Sequence, residues 1–191
     1  MSKLIFLLLS TLLFVNVWAH SPRPRYHIII DTDGATDDFR TISYLLSAND
    51  VRTLLIVGST GSVDAQTSAQ KVYELLDACH NEGIEVGINN NLNIKLPPWA
   101  IFCKSFAWAE PQQNRKFDDY LLLMNRITKN YNYKITLIAL GSLNSYAYFL
   151  KQYPEFKTKI EKIIWYNDKI TKNGFNYQID TKSYDFIVQS G

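Results

Sequence analysis

Soft metal-binding chemistry is nearly absent from this chain. Its 191 residues hold two cysteines, Cys79 and Cys103, and three histidines. There is no CxxC pair and no cluster of cysteine with histidine, which argues against a structural zinc site. Two thiols make at most one bridge, so a disulfide framework is excluded. Whether these two pair stays open, because Cys79 falls on the apolar side of an expected helix and a buried free thiol fits equally well. An excess of one charge is also missing. The formal net charge is +2, and basic residues such as Lys157, Lys159 and Lys162 are scattered as on a solvated helix face. Neither a nucleic acid nor an anionic membrane is expected as a partner. No Gly-x-Gly-x-x-Gly follows the first expected strand, so a dinucleotide site is not supported. Internal repeats and low-complexity linkers are lacking, which leaves one domain.

Long apolar runs are scarce too. The one at the start, Leu4 to Val15, is interrupted by Ser10 and Thr11 and is short for a membrane span. Lys3 precedes it and Val17-Trp18-Ala19 follows, the order of a cleaved secretory signal with the cut after Ala19. The expected organisation is a signal peptide over 1–19 and an α/β domain over 20–191. The mature protein is then secreted or periplasmic, without stable membrane insertion. An uncleaved N-terminal anchor is the alternative.

What is present suits a globular core: 47% of residues are hydrophobic and 14% aromatic. Strand and helix patterns alternate. Strands are expected over 27–31, 51–58, 85–88, 134–140 and 162–167. Helices are expected over 36–48, 64–80, 115–130 and 143–152, with a last one from Thr181. The stretch 89–112, with Asn89 to Asn91 and three prolines, reads as a long loop at a pocket rim. Such alternation implies a Rossmann-like, mainly parallel sheet with helices on both faces.

The most telling segment is HIIIDTDGATDDFR, residues 27–40. Asp31, Asp33, Asp37 and Asp38 fall within eight residues directly after Ile28-Ile29-Ile30. Carboxylates this close repel one another unless a cation or shared protons sit among them. The loop leaves the carboxyl end of a buried strand, where ligands bind in open α/β sheets. Four acids there look like a hard-cation site. The bland alternative is a solvated turn with Thr36 or Asp37 as helix cap, which needs one such residue and not four.

Asp31-Thr32-Asp33 followed by Asp37-Asp38 resembles the N-terminal fingerprint of the inosine-uridine-preferring nucleoside hydrolases, Asp-x-Asp-x-Gly-x-Asp-Asp. Gly34 stands one place before the family's glycine. LIALGSLNSYAYFL (137–150) is similar to the family's Gly-Pro-Leu-Thr-Asn segment, here Gly141 to Ser145. NGFNYQIDTKSYDFIVQSG (173–191) is similar to a segment in which an asparagine, Asn176, precedes an aspartate, Asp180, by four residues. The resemblance implies a nucleoside hydrolase fold and cleavage of ribonucleosides to base and ribose, as in purine and pyrimidine salvage. It implies Ca²⁺ held by Asp33, Asp38 and the Leu140 carbonyl, with Asp33 as catalytic base. Asp37 and Asn176 would contact the sugar, and Asp31 would brace the loop. Ser62 stands where the family has a sugar-binding asparagine, and Gly174 where it often has glutamate. Family members continue beyond the last residue here. A later segment gives them another calcium-binding aspartate and often a histidine that protonates the leaving base, so the chain reads as apparently truncated. None of His20, His27 and His80 takes that place. Base preference and assembly into a homo-oligomer stay open. Trp99 and Trp108, in the long loop, are the candidates for stacking on a base.

Two rivals remain. Asp31-x-Asp33-Gly34 also resembles the magnesium phosphatase motif of the haloacid dehalogenase superfamily, with Val57 to Gly61 as its second motif, but this leaves Asp37 and Asp38 unexplained. The other is a weak or inactive homologue that binds a nucleoside or sugar without turnover.

Overall fold

The computed structural model describes residues 23–167 and 173–190. The expected signal peptide and its cut after Ala19 lie outside the described residues, as does His20. In chain order the elements are β1 (Tyr26–Thr32), α1 (Thr36–Ser47), β2 (Val51–Ser59), α2 (Ala65–Ala78) and β3 (Glu85–Asn89). Next come α3 (Ala100–Ser105), β4 (Asp118–Asp119), α4 (Tyr120–Asn130), β5 (Ile135–Ala139) and α5 (Asn144–Gln152). A 3-10 turn (Pro154–Lys159), β6 (Ile160–Trp165), α6 (Phe175–Ile179) and α7 (Thr181–Ser190) complete the set.

The six strands form one sheet in the order β4-β3-β2-β1-β5-β6. Every pairing is parallel. Parallel strands covered on both faces read as continuous apolar runs, and β1 and β5 do. Ile29, Leu55, Val57, Leu137 and Ala139 face one way, against α4 and α5 through Tyr120, Leu123, Met124, Tyr146 and Phe149. Ile28, Ile30, Ile56 and Ile138 face the other, against Phe39 and Ile42 of α1 and Val72, Leu75 and Leu76 of α2. Each such aliphatic side chain contributes on the order of 1.5–3 kcal/mol by leaving water.

The chain winds outward from β1 to β4, then returns to place β5 on the other side of β1. Strand order therefore reverses between β1 and β5, and a crevice opens beyond their carboxyl ends. The residues that follow those two strands, from Asp33 and from Leu140, flank it.

The sheet and its covering helices match the expectation, with differences in the loop after β3. That stretch holds the short helix α3, and α4 begins at Tyr120 and not near 115. The cause is local: the backbone of 112–115 is spent on side chains of α2. Gln66 Nε2 donates to the Arg115 carbonyl (2.8 Å), Arg115 N donates to Gln70 Oε1 (3.0 Å) and Gln112 N to Glu74 Oε1 (3.1 Å). Asp119 then caps α4, accepting from Leu121 N at 2.8 Å. Both cysteines are free, and Cys79 is exposed at the end of α2 rather than on its apolar side; Cys103 is the buried one. Among the described residues no helix is long and apolar enough to cross a membrane.

Candidate functional site

The loop after β1 is shaped by Gly34, whose φ of +81° lies in the left-handed region. A Cβ there would sit 2.4 Å from Val63 Cγ2. The turn swings the chain into α1 so that Asp38 points back at its own loop. Asp38 Oδ2 accepts from Thr32 Oγ1 at 2.7 Å and from Asp33 N at 3.3 Å. The cap position of α1 is Ala35, with no side-chain cap bond. The acids are therefore not a capping device, and the solvated-turn alternative fails.

Asp33 is wedged between two glycines. A Cβ on Gly61 would lie 2.3 Å from Asp33 Oδ2, and one on Gly141 2.8 Å from Asp33 Cβ. Asp33 Oδ1 accepts from Ala35 N at 3.1 Å, and the Ser62 amide and hydroxyl beside this carboxylate favour its charged form. Burial pushes Asp33 up to about 6, with the Asp37 charge adding to it. Burial likewise pushes Asp38 well above the usual carboxylate range, and the charges of Asp33 and Asp37 add to that.

A cleft of about 270 Å³ opens here. Asp33, Asp37, Asp38, Ser62, Leu140 and Asn176 all line it, so the sequence-expected residues converge. Among the described residues, no lysine, arginine or histidine is on its lining. Asp37 is exposed at the rim, in the first turn of α1. Ser62 is only 3% exposed; its hydroxyl accepts from Trp99 Nε1 at 3.4 Å. Asn176 Nδ2 donates to the Leu140 carbonyl at 2.7 Å and to the Tyr166 carbonyl at 3.1 Å, tying the ends of β5 and β6 together. Asp31 lies behind the cleft, fully buried, with one oxygen taking the Ser59 hydroxyl at 2.9 Å and the other the Ser145 hydroxyl. Burial pushes it up to about 7.

The two tryptophans separate. Trp99 lines the cleft and meets Phe175 edge-on, ring centroids 4.9 Å apart. Trp108 packs beside Phe39 at 6.2 Å, under the core of α1. The two described histidines stay away. His27 stacks on Tyr133 at the opposite end of β1, and His80 sits exposed past the end of α2.

The donors offered to a cation are oxygens only: two carboxylates, Asp33 and Asp38, and the Leu140 carbonyl. Buried acids with no described cationic side chain beside them fit a hard divalent ion, which takes six to eight oxygens. Among the described residues no group of three or more His, Cys, Asp or Glu side chains forms a complete metal nest. These residues thus fit part of the oxygen shell of a hard divalent cation.

Sequence reasoning did not assign a role to Ser59, Asn89, Asn144 or Ser145. All are nearly or fully buried, and they form a hydrogen-bonded set around Asp31. Asn144 and Ser145 stood inside a recognised motif. Asn89 was hidden in a run of three asparagines.

Comparison with known proteins agrees with this fold. The sequence pattern described as "Inosine-uridine preferring nucleoside hydrolase" matches residues 28–191. The non-specific ribonucleoside hydrolase RihC of Salmonella typhi is 22% identical over 177 residues, 86% of this chain and 58% of the relative. Among solved structures, a purine-preferring ribonucleoside hydrolase from Gardnerella vaginalis shares 19% identity with a TM-score of 0.74. An inosine-guanosine nucleoside hydrolase shares 22%, also at 0.74. In both, 86% of this chain covers 58% of the other. The chain thus spans a little under three fifths of the length of these relatives. The pattern match extends from the strand before the acid loop through α7, and by it the chain belongs to the inosine-uridine preferring nucleoside hydrolase family.

Proposed function

We propose that this cleft hydrolyses the N-glycosidic bond of ribonucleosides, releasing free base and ribose. One observation supports the reading: Asp33, Asp37, Asp38, Leu140 and Asn176 line one cleft that, among the described residues, has no cationic side chain on its lining. Breaking this bond makes the sugar cationic and oxocarbenium-like, and carboxylates around the ring stabilise that charge. Asp33, beside Ser62 and the Ala35 amide, takes the proton of the attacking water in this reading. Asp37 at the rim accepts from a ribose hydroxyl. Asn176 has its amide nitrogen spent on two carbonyls, so its Oδ1 is the atom left to meet the sugar. Calcium would be held by Asp33, Asp38 and the Leu140 carbonyl, and supplies, when bound, a positioned water of lowered pKa. Trp99 offers an aromatic face to the base.

The relatives differ in base, one non-specific, one purine-preferring and one for inosine and guanosine. We therefore assign the substrate as ribonucleosides without choosing a base. The test is reducing-sugar release from inosine, uridine and guanosine in calcium by the wild-type chain and by Asp33→Ala. Turnover lost in the variant supports the reading, and turnover kept in it removes Asp33 from its role. Among the described residues the cleft lining has no histidine or lysine to protonate a leaving base, which favours a second reading, binding without turnover. Calorimetric uptake of nucleoside with no sugar released would select it. Export through the leader ending at Ala19 belongs to the same proposal; a mature protein whose mass begins elsewhere than His20 refutes that part.

A further inference from the structure

Behind the cleft runs a polar chain that the chemistry above does not use. Asn89, at the end of β3 and 1% exposed, gives away both amide hydrogens. One goes to Ser145 Oγ at 2.7 Å and the other to Asn144 Oδ1 at 3.1 Å. Its own oxygen accepts from Asn91 N at 2.9 Å, which fixes which end of the amide is which. The Ser145 hydroxyl donates a hydrogen bond to Asp31 Oδ2, on β1, two residues before Asp33. Asn144 passes an amide hydrogen to Asp180 Oδ2 at 2.6 Å. Asp180 also accepts from Ser183 N at 3.1 Å and from the Ser183 hydroxyl at 2.6 Å, so it caps α7. Donors therefore run outward from Asn89 to two carboxylates, one beside each wall of the cleft.

Those walls are distant in sequence. One is the acid loop of Asp33 and Asp38. The other is α6, which carries Phe175 and Asn176 and ends at Asp180. Leu140 lies between them: its carbonyl accepts from Asn176 Nδ2, and its amide donates to the Asp31 carbonyl at 2.9 Å. Asn144 and Ser145 begin α5 four and five residues after Leu140. We propose that Asn89, Asn144 and Ser145 are positioning residues that hold the Asn176 wall in register with the acid loop. The spacing of the Asp33, Asp38 and Leu140 oxygens then depends on the pin between Asn144 and Asp180. A largely buried network of directional bonds restricts the arrangement in a way that apolar packing does not. The proposal rests on the calcium reading of the cleft only for its effect on Ca²⁺ binding; its structural part stands apart from it.

An exchange of the two pin residues tests this. Asn144→Asp alone sets two carboxylates against each other. Asp180→Asn alone sets amide against amide, or gives up the cap on α7. The double variant reverses donor and acceptor: the carboxylate now at position 144 still accepts from Asn89, and the amide oxygen now at position 180 still accepts from Ser183 N. Hydrogen–deuterium exchange of residues 31–38 is expected to rise about tenfold in either single variant and to return to wild type in the double. Calorimetric Kd for Ca²⁺ should rise about tenfold in the singles, as for other residues supporting metal ligands, and recover in the double. Ser145→Ala, which adds no charge, gives the same rise in 31–38 should a single pin variant fail to fold. Exchange that rises only in 175–190, or a double variant that does not recover, overturns the proposal. A wild-type chain that takes up no Ca²⁺ overturns the calcium reading of the site instead, and the exchange of 31–38 then decides the positioning role alone.

Discussion

Asp31 and Asp33 leave the same strand two residues apart and are equally buried, 0% and 1% exposed. Their surroundings differ completely. Asp31 has a hydroxyl on each oxygen and lies behind the cleft. Asp33 is held by its own loop and by Ser62, and it lines the cleft beside Asp37 and Asp38. Burial raises the proton affinity of both, so proton affinity does not separate them. Partners do. An acid whose oxygens are both taken by protein hydroxyls is architecture, whereas an acid crowded by other acids at an opening awaits a cation or a substrate.

The largest effect expected is at Asp33. Asp33→Ala should lower kcat for nucleoside hydrolysis by about 10³-fold or more and abolish calorimetric Ca²⁺ uptake, while the melting temperature of the calcium-free protein holds or rises. Asp31→Ala should invert this pattern. It strands the Ser59 and Ser145 hydroxyls in the interior and should cost about 2 kcal/mol or more of folding stability, with a smaller loss of turnover. Asp31→Asn, which still offers each hydroxyl a partner, should recover most of both. Equal losses of turnover in Asp31→Ala and Asp33→Ala would erase the distinction between the two acids.

The difference between these two acids was only half legible in the sequence. The strand was readable because three β-branched residues precede the cluster, and the loop because four acids crowd it. The neighbours that sort the acids are remote in sequence. Ser145 is 114 residues from Asp31, Asn144 is 55 from Asn89, and Asp180 is 36 from Asn144. No periodicity encodes such pairs; only the closing of the sheet brings them together. The inward turn of Ser62 onto Asp33 was equally hidden, because it depends on how Gly61 and Gly141 clasp that residue. The alternation of strands and helices, by contrast, is a local signal, and it predicted the layers correctly. The late start of α4 escaped because backbone groups of 112–115 bond to side chains of α2, a tertiary contact.

Proton linkage sharpens the same comparison with a smaller effect. In calcium-free protein, Asp31 is pushed up to about 7 and Asp33 to about 6, both above the unfolded value of 3.8. Between those values the folded state binds protons that the unfolded chain has released, so stability must fall as pH rises from about 4 to 7. Denaturant unfolding at pH 5 and pH 7 reads this directly. Asp31→Asn should reduce the slope up to about 7, leaving the part that Asp33 and Asp38, both also raised, contribute. Adding calcium should stabilise the protein more at pH 7 than at pH 5, because it competes with the protons on Asp33 and Asp38. A calcium-free protein that grows more stable towards pH 7 would contradict the burial of both acids.

The smallest effect concerns the tryptophans, which repeat the contrast between Asp31 and Asp33 in apolar chemistry. Trp99 is 45% exposed on the cleft, edge-on to Phe175, while Trp108 is packed against Phe39. A ring stacked on a base contributes about 1 kcal/mol beyond its buried area, so Trp99→Ala should raise KM about fivefold and leave kcat and the melting temperature close to wild type. Trp108→Ala removes a large side chain from the layer over α1 and should lower the melting temperature with KM unchanged. The order matters more than the size. If Trp108 moved KM and Trp99 did not, the cleft would not be where the base sits, and the aromatic wall would be a packing feature like the acid behind it.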